Sequence, residues 1–439
     1  MFKIFTARNT QTDGVLSSYQ LLTLYLPGFI LALGYSIAMP AVPVFAKSFD
    51  TGFAVASLVL VVEGFGEMIA TVPTGFLVDR FGRRPMLFAG PLLTAAASFL
   101  IAVAHSFPEL LAYRFIEGLG SEVWRQARLA MIADASKTTE RGRQMSGMIG
   151  TERAGKLIGP AIGGLFALSS IRLPFIAYGT LAFLAIVPSF FLVRESAPGW
   201  QRPKAEREPE MATGALLKSM LTPRYLGFFT AQFFASTTRG VLWGGTLLLY
   251  ATFAYGAGAQ VLGGLATVGT IVGIPITFAA GYLMDRFGRK VTMVPGFMLI
   301  SLGIFYLAAG AAMGWSIATF IAGFLWIQST GSITAGSMQV LGADMAPAAG
   351  RGRFFGFWRL INQGGSLVSP AVFAWIAERQ GYSFGFVLFG LCALMTALLL
   401  AFTVSETVGT EKIITRTSSE TSDPILSRFV DRVQVYKKK

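Results

Sequence analysis

The sequence predicts an all-α integral membrane protein whose twelve transmembrane helices form two pseudo-symmetric six-helix bundles. Three observations lead there. First, 53% of the 439 residues are hydrophobic and only 13% are charged, with a mean hydropathy of +0.59, against about 25% charged in an ordinary soluble domain. Second, the apolar excess falls in long blocks. Third, the two halves of the chain echo each other. These features exclude a soluble enzyme, a disordered chain and a nucleic-acid-binding domain.

A helix crossing the hydrocarbon core needs about 20 mostly apolar residues. Twelve blocks qualify: 20–46, 53–78, 86–106, 109–133, 144–169, 173–193, 224–254, 257–284, 291–312, 315–342, 354–378 and 383–405. The fourth, fifth and seventh carry charges and are the weakest by hydropathy alone. The polar stretch 194–222 reads as a linker. The expected organisation is therefore a bundle at 1–193, the linker, a second bundle at 223–406 and a polar tail at 407–439. Within the tail, 425–435 could lie on the bilayer surface or be plain disordered chain. The polar start MFKIFTARNTQTDG and the length of the first apolar block give no sign of a cleavable signal.

The formal charge is +13, with 36 Lys and Arg. About 26 of them fall on the side shared by both termini, roughly seven lie inside spans, and about three, Lys47, Arg172 and Arg379, lie opposite. The positive-inside rule then puts both termini in the cytoplasm, in the plasma (inner) membrane. It also explains the basic total as topology and not as a nucleic-acid surface. One cysteine, Cys392, and one histidine, His105, leave no internal disulfide, no cysteine or histidine metal site and no histidine triad.

The repeat is explicit. Residues 75–84 read GFLVDRFGRR, and 281–290, 206 positions later, read GYLMDRFGRK. Asp134 precedes Arg141-Gly142-Arg143 as Asp344 precedes Arg351-Gly352-Arg353. Two like six-span halves are the parallel-repeat plan of secondary transporters, with the substrate site near mid-membrane.

At these motifs the chain resembles the major facilitator superfamily over nearly its whole length. The resemblance rests on the doubled loop motif, on Arg114, Gly118 and Gly120 in RFIEGLG, and on Gly155, Gly159, Pro160, Gly163 and Gly164 in GKLIGPAIGG. It implies a transporter of the twelve-helix drug/proton antiporter branch, working by export and alternating access. It also implies a cytoplasmic latch formed by Gly75, Asp79, Arg80, Gly82, Arg83 and Arg84 with Gly281, Asp285, Arg286, Gly288, Arg289 and Lys290. By position, Asp79 and Asp285 lie just beyond a helix end, where they can pair with the arginines, and Gly82 and Gly288 permit a tight turn. The fifth-span glycines, four apart on one face, serve close helix packing, a gate against proton leak, or both. Residues 150–157, GTERAGKL, imitate a phosphate loop, but Leu157 stands where Ser or Thr is needed and no strand precedes it.

Charges inside the spans are costly and are paired or functional. Glu63 and Glu67 share a face of the second span. Glu117, Glu122, Arg125 and Arg128 lie in the fourth, Glu152, Arg153 and Lys156 in the fifth, Arg239 in the seventh and Arg359 in the eleventh. Two readings stay open. The charges form structural ion pairs, for example Glu122 with Arg153, or a carboxylate carries a coupling proton. Burial favours the protonated carboxyl and a neighbouring arginine the ionised one. The proton candidates are Glu63, Glu67, Glu122 and Glu152, while Glu117, Arg128 and Arg359, nearer helix ends, read as structural. The first span has no acidic residue, unlike that of many proton-coupled relatives. Candidates for the substrate cavity are Arg125, Arg153, Lys156, Arg239, Trp243, Asn362 and Gln363, with Tyr250, Trp326, Gln328, Gln339 and Trp358 as further polar or aromatic groups.

The leading expectation is a proton-coupled exporter of a small amphipathic solute or drug. It needs no cofactor beyond the proton gradient, and its partners are substrate, protons and lipid. Nothing requires more than a monomer. A carrier of organic anions or lipid-like solutes is the alternative, resting on Arg153, Lys156 and Arg239. A non-transporting receptor is a third possibility. An enzyme is disfavoured, since no catalytic triad, metal cluster or redox motif is present.

Overall fold

A computed structural model describes residues 23, 25–135, 141–192, 220–243, 245–346 and 351–404. The expected linker and tail lie mostly outside them. Among the described residues the regular structure is helical and falls into twelve spans. Eight are single helices: Phe53–Phe81, Arg83–Ala102, Phe107–Ala135, Arg141–Ser169, Ala259–Phe287, Arg289–Met313, Arg351–Gln380 and Tyr382–Thr403. Four are broken. The first is Leu26–Ala38 and Ala41–Lys47, the sixth Leu173–Leu184 and Ile186–Leu192, the seventh Pro223–Trp243 and Thr246–Tyr255, and the tenth Ile317–Ile333 and Ser337–Met345. Pro40, which cannot donate a helical hydrogen bond, sits at the first break. Gly245 and Gly336, at φ 87° and 79°, occupy the seventh and tenth.

Seven spans are long and apolar enough to cross a membrane by composition alone. Of the other five, Leu173–Ser189 of the sixth and Thr246–Tyr255 of the seventh are shorter apolar helices. The exterior is apolar: Phe76, Phe278 and Phe402 are 73%, 75% and 84% exposed. That is a suitable surface for lipid and a poor one for water.

The chain divides into two compact units. One holds the described residues of 1–205 with Leu248–Thr267, the other those of 206–247 and 268–439. The end of the seventh span and the start of the eighth, expected in the second bundle, thus pack with the first. Lys47 Nζ donates to the Thr252 carbonyl at 2.8 Å, and the rings of Phe53 and Phe253 meet edge-on with centroids 5.5 Å apart. Within the first unit, span one packs on five and six, and span four on two and three. The second unit repeats part of this plan, with seven on eleven and twelve and nine on ten and twelve.

One expectation needs correcting. Asp79 and Asp285 are not beyond a helix end. The second and eighth spans run on to Phe81 and Phe287, so both aspartates lie in the last turn. A single glycine then joins each helix to the next. Gly82 (φ 94°, ψ 173°) and Gly288 (φ 108°, ψ 165°) adopt nearly the same strained backbone, and their N–H groups close on the Val78 and Met284 carbonyls, each at 3.1 Å. Left-handed φ suits glycine because it has no Cβ to clash. The motif is a one-residue joint rather than a loop.

Candidate functional site

Glycines set the position of the fourth span. Gly118 faces the Glu63 carbonyl and Gly66 the Phe115 carbonyl, so a methyl on either would overlap backbone. Gly90 and Gly120 bring the third and fourth spans together in the same way; a methyl on Gly120 would stand 2.7 Å from the Gly90 oxygen. Close backbone approach of this kind is what small residues provide between membrane helices.

That approach brings Arg114 onto two carboxylates. Its guanidinium pairs with Glu63 across the helix interface and with Glu117 three residues along its own helix. Ser98 donates to Glu117 at 2.8 Å. Arg114 and Glu117 are almost wholly buried.

A second triad follows. Arg125 pairs with Glu122 and reaches Glu67 at 3.1 Å. Glu122 also accepts from Thr71 Oγ1 at 3.1 Å and Gln126 Nε2 at 2.7 Å. The expected pair of Glu122 with Arg153 is not formed. Arg125, one turn away on the same helix, takes the carboxylate, and Arg153 is exposed. Nor do Glu63 and Glu67 share a cation, since each has its own arginine. Arg128 pairs with Glu152 at 2.5 Å, lies 4.8 Å over the Trp124 ring, and fills the space that Gly28 leaves open.

These groups border a cavity of about 200 Å³ in the first unit. Glu67, Arg125, Glu152 and Lys156 supply its charges, and Tyr35, Tyr178 and Trp124 its aromatic wall, the two tyrosines edge-to-face at 6.1 Å. Glu63, Glu122 and Arg153 are not part of the lining.

The second unit has a cavity of about 300 Å³ lined by Gln232, Arg239, Gln339, Trp358, Arg359 and Asn362, with Met338 and Phe355 as its apolar wall. Trp358 Nε1 donates to Gln232 Oε1 at 3.0 Å, and Gln232 Nε2 donates to Asn362 Oδ1 at 2.9 Å. Trp243 and Gln363 are not brought here. Trp243 packs on Gly331, Tyr250 is buried against Tyr255, Trp326 donates to the Leu299 carbonyl at 2.9 Å, and Gln328 sits beside Gly269.

The fifth-span glycines divide between two neighbours. Gly155, Gly159 and Gly163 face Phe29, Ser36 and Ile37 of the first span, where Ser36 Oγ donates to the Gly155 carbonyl at 3.2 Å; Gly164 faces Gln260 at the start of the eighth. In the paired joints, Gly75 and Gly281 have open space around them. Arg83 is buried, and Arg84 and Arg289 are half-buried. Arg80 lies over Phe81, Arg286 lies over Phe287 and donates to Tyr282, and Lys290 donates to the Ala401 carbonyl at 2.7 Å. The side chains of Asp79, Asp285, Asp134, Asp344, Arg141, Arg143, Arg351 and Arg353 lie outside the described residues.

Sequence reading missed Tyr35, Thr71, Ser98, Trp124, Gln126, Tyr178 and Gln232. Gln126 and Gln232 carried the signal used for Asn362, an amide inside an apolar span. The tyrosines carried none.

Comparison with known proteins agrees with this architecture. The family model described as Major Facilitator Superfamily matches twice, at residues 24–238 and 228–432. The quinolone resistance protein NorA of Staphylococcus aureus (strain MRSA252) is 30% identical over 209 residues, 47% of this chain and 53% of that protein. The match thus spans about half the length of that relative. The multi-drug resistance efflux pump PmrA of Streptococcus pneumoniae is 25% identical over 378 residues, covering 84% of this chain and 92% of PmrA. In fold, the chain superposes on a D-xylose–proton symporter at TM-score 0.70 with 19% identity, covering 90% of this chain and all of the other. It superposes on the inward-open xylose transporter XylE of E. coli at 0.67 with 18% identity, covering 89% and 98%. The chain belongs to the Major Facilitator Superfamily.

Proposed function

We propose that this chain is a secondary active transporter that exports a small amphipathic solute or drug in exchange for protons, by alternating access to a site within the membrane. The relatives named for quinolone and multi-drug resistance support export, and PmrA does so over most of the chain. The observation that carries proton coupling is the triad of Glu67, Arg125 and Glu122. One cation faces two carboxylates, and an uncompensated charge is costly away from water. A proton on one carboxyl balances the triad. Glu67, on the cavity wall with its side chain 26% exposed, can exchange that proton with water, whereas Glu122 is fully enclosed. Glu63, with Arg114 and Glu117, forms the buried counterpart and is read as structural. The distribution of Lys and Arg supports cytoplasmic termini in a plasma membrane, and a monomer is sufficient.

The test is internal pH in proteoliposomes, read by a trapped dye, with a fluorescent quinolone added outside. Entry of the compound with loss of internal acid is expected. Glu67→Gln should retain flux but lose the pH change. Flux that ignores an imposed pH gradient, or full coupling in Glu67→Gln, rules out this assignment. Binding without flux would instead make the protein a receptor.

A further inference from the structure

The second unit contains a charge that no carboxylate among the described residues answers. Arg239 lies within the seventh span, partly buried, and makes no hydrogen bond or ion pair among the described residues. No acidic group is close enough to offset the burial of its charge. A lone arginine at such depth is expensive to keep without a partner. Its cavity has a second cation, Arg359, and no carboxylate in its lining.

The hydrogen bonds sharpen the point. An indole N–H can only donate, so the Trp358 bond fixes the oxygen of Gln232 toward Trp358 and its NH₂ toward Asn362. Asn362 must then accept through Oδ1, which leaves its own NH₂ as a donor in the lining. The free ends of this network are donors, beside a guanidinium. Phe355 and Met338 supply an apolar wall, and about 300 Å³ holds a headgroup and a ring. The cavity of the first unit differs, since two carboxylates, Glu67 and Glu152, line it.

We propose that the cavity of the second unit binds the carboxylate of an amphipathic organic anion, with the oxygens on Arg239 and the Asn362 amide and the apolar body against Phe355 and Trp358. The proposal rests on the transporter reading only for what becomes of the bound anion.

The experiment is equilibrium binding to the full chain in detergent, with no gradient, by titration calorimetry. The probes are 1-naphthaleneacetate and its neutral isostere 1-naphthaleneacetamide. The wild type should prefer the carboxylate by about tenfold or more, the scale of one charge-assisted hydrogen bond. Arg239→Gln should bring the ratio near one while amide binding stays, and Arg239→Lys should keep part of the preference. Asn362→Asp, which puts a carboxylate beside Arg239, should also abolish it and serves if Arg239→Gln does not fold. Equal affinities in the wild type, or a preference that persists in Arg239→Gln or Asn362→Asp, overturns the proposal. Because binding is read without flux, a failed pH assay leaves this result standing, and a failed binding assay leaves proton-coupled export standing.

Discussion

The second and fourth spans meet through glycines on both helices, Gly66 and Gly118, against backbone, whereas the glycines that face across the eighth and tenth, Gly269 and Gly273, both lie on the eighth and meet side chains. In the first unit Gly118, on the fourth span, abuts the backbone at Glu63. The position 206 residues after Glu63 is Gly269, and the one 210 after Gly118 is Gln328. There the small residue is on the eighth span, and a methyl on Gly269 would stand 3.1 Å from Gln328 Cγ. Glu67 likewise becomes Gly273, facing Ser332, and Arg114 becomes the buried Phe324. Glycine on either side can close such a contact. The repeat keeps the backbone joints at Gly82 and Gly288 and changes the polar chemistry: ion-paired carboxylates in one unit, a lone arginine with an amide network in the other.

The sharpest way to break this comparison is Gly118→Val. The branched side chain would enter the Glu63 backbone, and no monodisperse protein should survive size-exclusion chromatography, whereas Gln328→Val should fold. A normal elution profile for Gly118→Val would remove glycine as the determinant of the contact. Next comes Arg114→Ala, which strands two buried carboxylates and should cost about 3–5 kcal/mol, read as a fall in the thermal midpoint. Adding Glu63→Gln and Glu117→Gln should recover much of it. An unchanged midpoint for the single variant would deny the triad a structural role. Smaller and equal losses are expected for Gly82→Ala and Gly288→Ala, about 1–3 kcal/mol each, because an L-residue is strained in that φ/ψ region. A clear inequality between the two would show that the joints are not equivalent. Least affected should be Gly269→Ala, within about 1 kcal/mol, since the Gln328 side chain can swing aside. A larger drop in its thermal midpoint would mean the eighth and tenth spans are locked as tightly as the second and fourth.

Much of the fold was legible. Hydropathy located the spans, and the doubled DRFGR segment revealed the repeat. The site was legible only as an inventory. Glu63, Glu67, Glu122, Arg114 and Arg125 all stood out as charges in apolar helices, yet the pairing of Glu122 with Arg153 went wrong. Two charges one turn apart on the same helix, Glu122 and Arg125, had the local advantage. The Asp79 and Asp285 positions were misread because a polar stretch looks like a loop, while a glycine at positive φ lets the helix continue to its edge and restart at once.

The sequence by itself therefore determined the number of spans, their repeat and the types of charge they carry. Hydrophobicity and glycine tolerance act over one turn or one span, so they are written locally. Only the tertiary structure decided which carboxylate meets which arginine, that Glu67 borders a cavity while Glu122 is enclosed, and that Arg239 has no acidic partner among the described residues. Those outcomes depend on which helix faces touch. Backbone contacts at Gly66, Gly90, Gly118 and Gly120 set them, between residues as much as 55 positions apart.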